Sequence, residues 1–371
     1  MQESYATWSL LIEPGDQIAG YLRNQFGVDQ SIEILKARIS AQELATKLSE
    51  DKFRPPKHLE TLQDSLECYW RRLNTVNVSK SLDDLAKLGG FLITPQDENW
   101  PKNFLDLGDA QPPALWVLGD ANSLSHTPAV SVIGSRLASD YGLGIARDLV
   151  RYSVSKGWSV VSGGALGIDS VSHRSAIDSK GKTIAFMAGG LDRLYPKQNL
   201  ELFELIKLNG ALVSEMPPGV APSRWRFLQR NRLIAALGKA TVVVEASFRS
   251  GSINTAGHAN ELGRPVGAIP GRIDSVRSAG CHRLIREDRA ELISTPQQLS
   301  ELMGFAESEP DQLFRLTANQ TRTLDAVGNE PMSIEAIAIS AGLTMFEANQ
   351  ATGQLLAQKL LARNSIGWYK P

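Results

Sequence analysis

The chain has 371 residues, of which 42% are hydrophobic and 21% are charged, a composition typical of a soluble globular protein. This length exceeds what one ordinary hydrophobic core supports, so two or three domains are expected. The formal net charge of −1 excludes a global basic field, so any binding to nucleic acid must depend on a local cationic patch.

Cysteine and histidine are too few and too scattered for a disulfide or metal framework. Cys68 and Cys281 are the only cysteines, neither belongs to a Cys-x-x-Cys pair, and the five histidines show no ligand spacing. We therefore expect no metal and no cofactor. The sequence shows neither a secretory signal pattern nor an apolar segment of membrane-spanning length, which predicts a cytoplasmic protein without a membrane partner.

Residues 1–85 are predicted to form a small helical N-terminal domain. Ile18, Leu22 and Phe26 recur at four-residue spacing on one helical face, and a similar spacing continues through residues 59–73. We interpret these helices as a bundle that packs on the main domain. A helical hairpin that grips the DNA backbone would need a Gly-x-Gly turn, and this part of the sequence has none.

Residues 86–304 are predicted to form a doubly wound α/β domain. A connector rich in proline and tryptophan, with a predicted edge strand at 115–118, leads into short apolar runs that alternate with helical patterns. The strand-like runs are 129–133, 159–162, 183–187, 211–214, 241–245 and 265–269, and the helical ones are 141–156, 167–179, 198–209, 225–237 and 254–262. This alternation predicts parallel strands with crossover helices, and the apolar runs predict a sheet covered on both faces.

Glycine-rich loops follow four of the predicted strands, at the edge where doubly wound sheets bind ligands. These loops contain Gly134-Ser135-Arg136, Ser162-Gly163-Gly164, Ala188-Gly189-Gly190 and Ser250-Gly251-Ser252. Glycine allows a phosphate to approach the backbone, and the helix N-terminus that follows adds N–H donors. Taken singly, each loop could equally be a plain turn, with Arg136 an ordinary surface arginine. Together the loops favour a phosphate-binding rim.

A cationic and aromatic segment precedes the strand-like run 241–245. Within nine residues it has four arginines, two aromatic residues and no acidic residue: Arg224, Trp225, Arg226, Phe227, Arg230 and Arg232. Guanidinium groups bind phosphate oxygens, and aromatic faces stack on bases. Alone, such a segment is more often a solvated helix start whose aromatics fill the core. Its position beside the glycine loops favours the binding interpretation.

The sequence matches two well-known nucleotide-binding motifs only in part. Gly181-Lys182-Thr183 resembles the end of a P-loop, but Ala176 stands at the required glycine position and a strand follows instead of a helix. The pattern at residues 142–144 lacks the third glycine of the dinucleotide fingerprint, where Arg147 stands. The sequence therefore disfavours ATP hydrolysis and nicotinamide binding.

The motifs, taken in order, resemble the DNA processing protein A (DprA/Smf) family over residues 91–293. Besides the loops above, the resemblance includes Gly167-Ile168-Asp169, His173-Arg174, Gly190-Leu191-Asp192, Tyr195-Pro196, Ser214-Glu215, Arg230-Asn231-Arg232, Thr255-Ala256 and Pro270-Gly271. It implies an extended Rossmann-like domain that binds single-stranded DNA and forms a homodimer. It further implies a non-enzymatic role in DNA uptake and natural transformation, protecting incoming strands and loading the RecA recombinase onto them.

The resemblance also implies individual binding residues. They are Gly134, Ser135, Arg136, Gly163, Gly164, Lys197, Arg224, Phe227, Arg230, Asn231 and Arg232. Arg136 would hold a phosphate, and Lys197 would add positive charge to the same pocket. Arg224 and Phe227 would clamp the backbone and stack on a base. The two arginines that flank Asn231 would contact phosphate or brace the pocket, and bracing is favoured for one of them, because an asparagine at a helix start is often a cap.

Two positions depart from the family pattern. Leu228 stands where the family usually has a proline after the phenylalanine, and His282 stands in the place of an asparagine. The second departure lies where the resemblance implies the dimer contact, so the residues of that contact are left open.

The C-terminal part is predicted to comprise an acidic linker at 305–315 and a winged-helix domain at 316–371. Three short helices are expected, followed by a small wing at 361–369. The predicted helix caps are Thr317, Ser333 and Thr344. The third helix carries no arginine, whereas helices that read the major groove usually carry base-reading guanidinium groups. We therefore favour a protein-contact role for this domain over DNA reading.

Two other functions are weighed against the binding protein. A nucleotide-processing enzyme of the phosphoribohydrolase-like Rossmann class would have a Pro-Gly-Gly-x-Gly-Thr-x-x-Glu loop, but residues 249–255 read Arg-Ser-Gly-Ser-Ile-Asn-Thr. Glu245 and Glu261 are available carboxylates, yet no nucleophile and base pair accompanies them. A pure adaptor, in which the end domains do the work, would not need the arginines and glycine loops.

Overall fold

In a computed structural model of the protein, the described residues are 1–44, 59–125, 128–305 and 316–371. The chain divides into two compact units, Met1–Phe305 and Ala306–Pro371. The predicted acidic linker lies outside the described residues apart from its first position, 305. The predicted separation of residues 1–85 from 86–304 as different domains stays a prediction.

The first part of the larger unit is helical, with α1 (Gln2–Leu11), α2 (Gln17–Phe26), α3 (Val28–Lys36), α4 (Leu59–Leu73) and α5 (Val78–Lys87). Helix α2 begins after Asp16, whose carboxylate accepts a hydrogen bond from the Ala19 N–H at 3.1 Å. Leu22 is buried with Trp8 and Tyr69, whose rings meet edge to face at 5.6 Å. The helix predicted from the apolar spacing around Leu22 is therefore confirmed.

The described residues form a nine-stranded sheet in the order β1-β2-β6-β5-β4-β3-β7-β8-β9. Its strands are β1 (Phe91–Ile93), β2 (Leu115–Gly119), β3 (Ala129–Ile133), β4 (Ser159–Ser162), β5 (Thr183–Met187), β6 (Gly210–Ser214), β7 (Ala240–Val243), β8 (Val266–Ala268) and β9 (Glu291–Leu292). In this spatial order, the seven strands from β6 through β3 to β9 all pair in parallel with their neighbours. The predicted α/β class and its mostly parallel sheet are confirmed.

The prediction of an edge strand at 115–118 is wrong. Strand β2 pairs antiparallel with β6 on one side and with β1 on the other, where Leu92 lies opposite Trp116. Trp116 is consequently fully buried. A three-residue strand such as β1 is too short to show the alternation by which strands are detected in a sequence.

Seven helices of the described residues accompany the sheet: α6 (Asp140–Ser155), α7 (Ile168–Asp178), α8 (Leu200–Asn209), α9 (Arg224–Leu237), α10 (Gly251–Glu261), α11 (Ala279–Arg286) and α12 (Gln298–Leu302). Val243 packs with apolar residues of α9 and α10, whereas Val242, its neighbour in β7, packs with residues of α6 and α7. Successive strand residues thus face opposite covered sides, as predicted. Across the described ranges, no helix is both long and apolar enough to cross a membrane.

The smaller unit contains α13 (Ala318–Ala326), α14 (Ile334–Ala341) and α15 (Met345–Ala357), followed by the antiparallel strands β10 (Ala362–Arg363) and β11 (Trp368–Tyr369). Thr317, Ser333 and Thr344 each accept a hydrogen bond from a backbone N–H of the first helical turn. The three predicted caps are confirmed. Thr317 and Thr344 belong to reciprocal capping boxes with Gln320 and Glu347.

His173, on α7, ties the loop after β4 to strand β5. Its buried ring places Nε2 2.6 Å from the Gly163 carbonyl oxygen and Nδ1 2.7 Å from the Thr183 hydroxyl oxygen. Since a carbonyl oxygen only accepts, Nε2 carries the proton of the neutral ring. Burial lowers the pKa of His173 to about 4; the hydrogen bond to Gly163 opposes this change and the positive charge of Arg230 adds to it.

We expect the substitution His173→Gln to make the free energy of unfolding less dependent on pH, in the range between the folded-state and unfolded-state pKa values of this histidine. Its pKa is about 4 in the folded chain and near 6.5 when unfolded, so the unfolded state binds more protons in this window. The free energy of unfolding therefore falls as the pH is lowered through it. The full difference corresponds to about 3 kcal/mol, lost by the time the pH reaches 4.

Urea unfolding of the parent and the variant, at about pH 4.5 and about pH 7, measures this effect. Asp169, whose pKa burial raises, changes stability in the opposite direction, but it is present in both proteins and cancels in the comparison. Equal pH slopes in the two proteins would contradict the assignment of a buried neutral His173.

Candidate nucleic-acid interface

The strand order reverses at β3, which pairs in parallel with β4 on one side and β7 on the other. In doubly wound sheets, ligands bind at the carboxyl ends of the strands beside such a reversal. A cavity of about 310 Å³ lies there, between residues of the loop 133–137, residues 227–234 of α9 and residues of the segment 247–255. We call it the switch-point cavity.

The switch-point cavity brings together part of the predicted binding set. Its lining includes Gly134, Ser135, Arg136, Phe227, Arg230 and Asn231. The remaining predicted residues, Gly163, Gly164, Lys197, Arg224 and Arg232, are not among those that line it. Two of the four glycine-rich loops, those at 134–136 and 250–252, therefore form its rim.

The two rim loops are joined by direct hydrogen bonding. The Ser252 hydroxyl donates to the Gly134 carbonyl oxygen at 2.8 Å, and the Ser250 hydroxyl caps α10 by accepting from the Ser252 N–H at 3.2 Å. Helix α10 therefore presents its positively polarised N-terminus to the cavity. Arg136 is exposed on the rim loop that adjoins this N-terminus, so a phosphate here would meet both a guanidinium group and a helix N-terminus.

Phe227 is the aromatic centre of the interface. Its half-buried ring lies 5.7 Å from the Cζ atom of Arg136 and 5.8 Å from that of Arg230, within the range of cation–π contact. Tyr195 meets the same ring edge to face at 5.8 Å. Arg224 is exposed and precedes Phe227 by three residues, so the two side chains are neighbours on the helix surface.

Arg230 lines the switch-point cavity and connects α9 to the sheet. It is buried, and its Nη1 donates to the carbonyl oxygen of Phe186 in β5. Burial lowers the pKa of Arg230 to about 10, and the nearby Asp169 carboxylate opposes this change. Burial also raises the pKa of Asp169, against the influence of Arg230. Among the described residues, the Nε–H of Arg230 is buried without an acceptor.

Gly163 and Gly164 permit close packing and do not face the cavity. A Cβ atom on Gly163 would lie 2.7 Å from both Arg230 Nη2 and Asp169 Oδ2, and one on Gly164 would lie 2.9 Å from the Phe203 ring. Both glycines are buried. Glycine is therefore required in this loop so that Arg230 and Asp169 can pack against the backbone, which is a structural role.

Arg232 and Asn231 join α9 to other elements. Arg232 Nη2 donates to Glu215 Oε1 at 2.7 Å and to the Ala110 carbonyl oxygen at 2.9 Å, and its side chain is 5% exposed. The amide of Asn231 donates to Asn254 Oδ1, on α10, at 3.1 Å. The cap of α9 is Ser223, so the expectation that Asn231 caps a helix is wrong. Arg230 and Arg232 both make buried contacts within the fold, whereas the sequence favours such a role for only one of them.

The resemblance implies that Lys197 shares a pocket with Arg136, but Lys197 does not line the switch-point cavity. It is exposed beside a second cavity of about 540 Å³, which Tyr195 also lines. Tyr195 thus contacts Phe227 on one side and lines the second cavity on the other. Lys197 lies in a neighbouring part of the same surface.

Sequence reasoning left out several residues that the structure places around the switch-point cavity. Asp169, Thr255 and Ser247 line it, and Tyr195 packs on its aromatic ring. Asp169, Thr255 and Tyr195 all stand in motifs that carry the family resemblance, and this is the available signal. Ser247 carried no comparable pattern.

Known proteins are similar to the segment of the chain that contains the sheet and the switch-point cavity. Residues 91–304 match the family model described as DNA recombination-mediator protein A. A DNA processing protein DprA of Mycobacterium tuberculosis is 42% identical over 288 residues, which are 72% of this chain and 74% of the relative.

Solved structures agree with this match. DNA processing protein A from Streptococcus pneumoniae superposes with a TM-score of 0.60 at 31% identity, covering 75% of this chain and 98% of that one. The Helicobacter pylori protein, whose structure concerns its single-stranded DNA binding mode, gives a TM-score of 0.53 at 30% identity, covering 58% and 97%. The family model and the similar relatives show that the chain belongs to the DNA recombination-mediator protein A family of DNA processing proteins.

Proposed function

We propose that this protein binds single-stranded DNA at the surface formed by Arg136, Arg224 and Phe227, with the N-terminus of α10 beside them. The observation that carries the proposal is the exposed guanidinium of Arg136 within 5.7 Å of a half-buried aromatic ring. A polynucleotide needs both elements, because cationic groups bind its phosphates and an aromatic face stacks on its bases. The binding mode described for the Helicobacter pylori relative supports the same substrate class.

Single strands are the preferred form of DNA for a physical reason. The ring of Phe227 can stack only on a base that has left its helical stack, and its cavity of about 310 Å³ is far too small for a duplex. Arginine contacts to phosphates carry little sequence information. Binding should therefore depend on strandedness more than on base sequence.

The protein acts by binding and not by catalysis in this proposal. Asp169 is the carboxylate among the described residues around the switch-point cavity, and it is buried next to Arg230, with a pKa raised by burial. A buried carboxyl group beside a structural arginine is poorly placed to activate water on a bound nucleotide. Release of a free base from any member of a nucleotide panel would instead support the phosphoribohydrolase-like alternative.

The first prediction from this proposal concerns the two exposed arginines. Arg136→Ala and Arg224→Ala should each weaken binding to an oligothymidylate at least about tenfold, because a charge-assisted contact with phosphate contributes roughly 1.5–3 kcal/mol. Fluorescence anisotropy of a labelled strand measures the dissociation constants. Arg151→Ala, on α6, removes another exposed arginine, which pairs with Asp148, and should change nothing. Unchanged affinity in both site variants would place the binding surface elsewhere.

The second prediction concerns salt. Binding to the parent protein should weaken linearly on a logarithmic salt scale, since phosphate contacts release counterions. Arg136→Ala should reduce this slope by about 0.7, the value for one phosphate contact on a single strand. Phe227→Leu should weaken binding by roughly 1–3 kcal/mol for the lost stacking while leaving the slope unchanged. Equal slopes for the parent and Arg136→Ala would show that this arginine does not contact phosphate.

For the biological role, we propose the one that the family resemblance implies. The protein protects incoming strands during DNA uptake and natural transformation, and it loads the RecA recombinase onto them as a homodimer. A dimer would offer two binding surfaces to one strand and so raise the apparent affinity. The smaller unit acts in this proposal as a winged-helix module for protein contact. Two large apolar side chains on its helices, Ile339 and Phe346, are about four-fifths exposed, at 82% and 79%, and are available for such a contact.

A loading assay tests the recombinase step. The parent protein should accelerate assembly of RecA on a single strand already covered by a single-strand binding protein. Arg136→Ala combined with Arg224→Ala should abolish the acceleration, because the protein must hold the strand in order to deliver the recombinase to it. RecA-dependent ATP hydrolysis reports the assembly rate. Acceleration that persists in the double variant would separate recombinase loading from this DNA site.

A further inference from the structure

Helix α9 is held by the N-terminal part of the chain at a residue that does not line the switch-point cavity. Glu13, in the turn between α1 and α2, accepts two hydrogen bonds from Arg226 of α9, one from Nε to Oε2 and one from Nη2 to Oε1, both at 2.9 Å. This is a bidentate pair, the geometry in which arginine and carboxylate bind most strongly. Arg72, from α4, donates to the same carboxylate at 3.3 Å and to the Leu11 carbonyl oxygen at 3.0 Å.

Arg226 also fixes the chain that leads into α9. Its Nη1 donates to the Ala221 carbonyl oxygen at 2.7 Å, and its backbone N–H is the donor that the Ser223 cap accepts at 3.3 Å. The side chain is 19% exposed. One residue therefore joins the loop before α9, the first turn of α9 and the turn that contains Glu13.

The same first turn carries the residues proposed to bind DNA. Arg226 stands between Arg224 and Phe227 in sequence, and successive helical residues differ in direction by about 100°. Phe227 thus faces the cavity while Arg226 faces the N-terminal helices. The approach on that side is close, since a Cβ atom on Gly15 would lie 2.5 Å from Gln229 Oε1.

We propose that Glu13 is a positioning residue of the single-stranded DNA site. By holding Arg226, it fixes the orientation of the turn that carries Arg224 and Phe227, without itself touching DNA. The N-terminal helices are then a working part of the DNA site, beyond any role in solubility or stability. This inference rests on the proposed function, because it concerns the affinity of that site for DNA.

The competing explanation is that Glu13 only neutralises Arg226, which would otherwise bind phosphate. The two explanations differ in sign. If charge alone matters, Glu13→Gln adds one net positive charge and tightens binding, whereas Arg226→Met removes one and weakens it. If positioning matters, both substitutions release the same turn, and both weaken binding.

The experiment measures the affinity of the full-length chain for a labelled oligothymidylate. Glu13→Gln and Arg226→Met should each weaken binding by about three- to tenfold, and the double variant should be no weaker than either single one, because both remove one interaction. The salt slope of Glu13→Gln should equal that of the parent, since no phosphate contact is gained or lost. Glu33→Gln is the control: it makes the same change of charge at an exposed residue of α3 that pairs with Lys36.

Tighter binding by Glu13→Gln, or additive losses in the double variant, would overturn the inference. Circular dichroism and thermal unfolding of each variant show whether it is folded at the assay temperature. If Glu13→Gln proves unfolded, Arg226→Met and Arg226→Lys decide the question: weakening in both supports positioning, whereas weakening in the methionine variant alone indicates charge. A parent protein that does not bind the strand, or whose Arg136→Ala variant binds normally, would refute the proposed function instead.

Discussion

The arrangement of this protein depends on how helix α9 is anchored. The helix contains four arginines and no acidic residue, so every compensating group must come from another part of the chain. Arg226 is bound by Glu13, Arg232 by Glu215, and Arg230 by the Phe186 carbonyl oxygen, with Asp169 nearby. These contacts join α9 to the N-terminal part of the chain, to strand β5 and to the residue that follows β6.

This anchoring explains how a chain with a net charge of −1 can offer a cationic surface. Three of the four arginines of α9 are used inside the fold. Arg224 is left exposed on this helix, and Arg136 is exposed on the adjacent loop. The charge available for phosphate is therefore carried by few side chains, on a helix and a loop that other contacts hold, and a preformed backbone loses less entropy when a ligand binds than a flexible one does.

Sequence patterns were sufficient for the parts of the fold that depend on local or periodic signals. The strands between residues 129 and 268 are buried on both faces and so appear as apolar runs, and the caps Thr317, Ser333 and Thr344 depend on residues three positions away. The arginines are different, because their residue type does not reveal their partners. Glu13 lies 213 positions from Arg226, and Glu215 lies 17 from Arg232. The sequence alone therefore does not distinguish an exposed arginine, available to a ligand, from a buried arginine that stabilises the fold.

Arg230 and Asp169, which both line the switch-point cavity, indicate why this site would bind a single nucleotide only weakly. A buried cation with no counter-charge would attract small anions strongly, but the fold places Asp169 beside Arg230, so the two charges largely offset each other. What remains for a ligand is the exposed charge of Arg136, the ring of Phe227 and the N-terminus of α10. Each of these contributes modestly, and a free nucleotide engages them only once. In the proposed binding mode, a long strand would add contacts at Arg224 and, past Tyr195, at Lys197, and would therefore be favoured over a monomer.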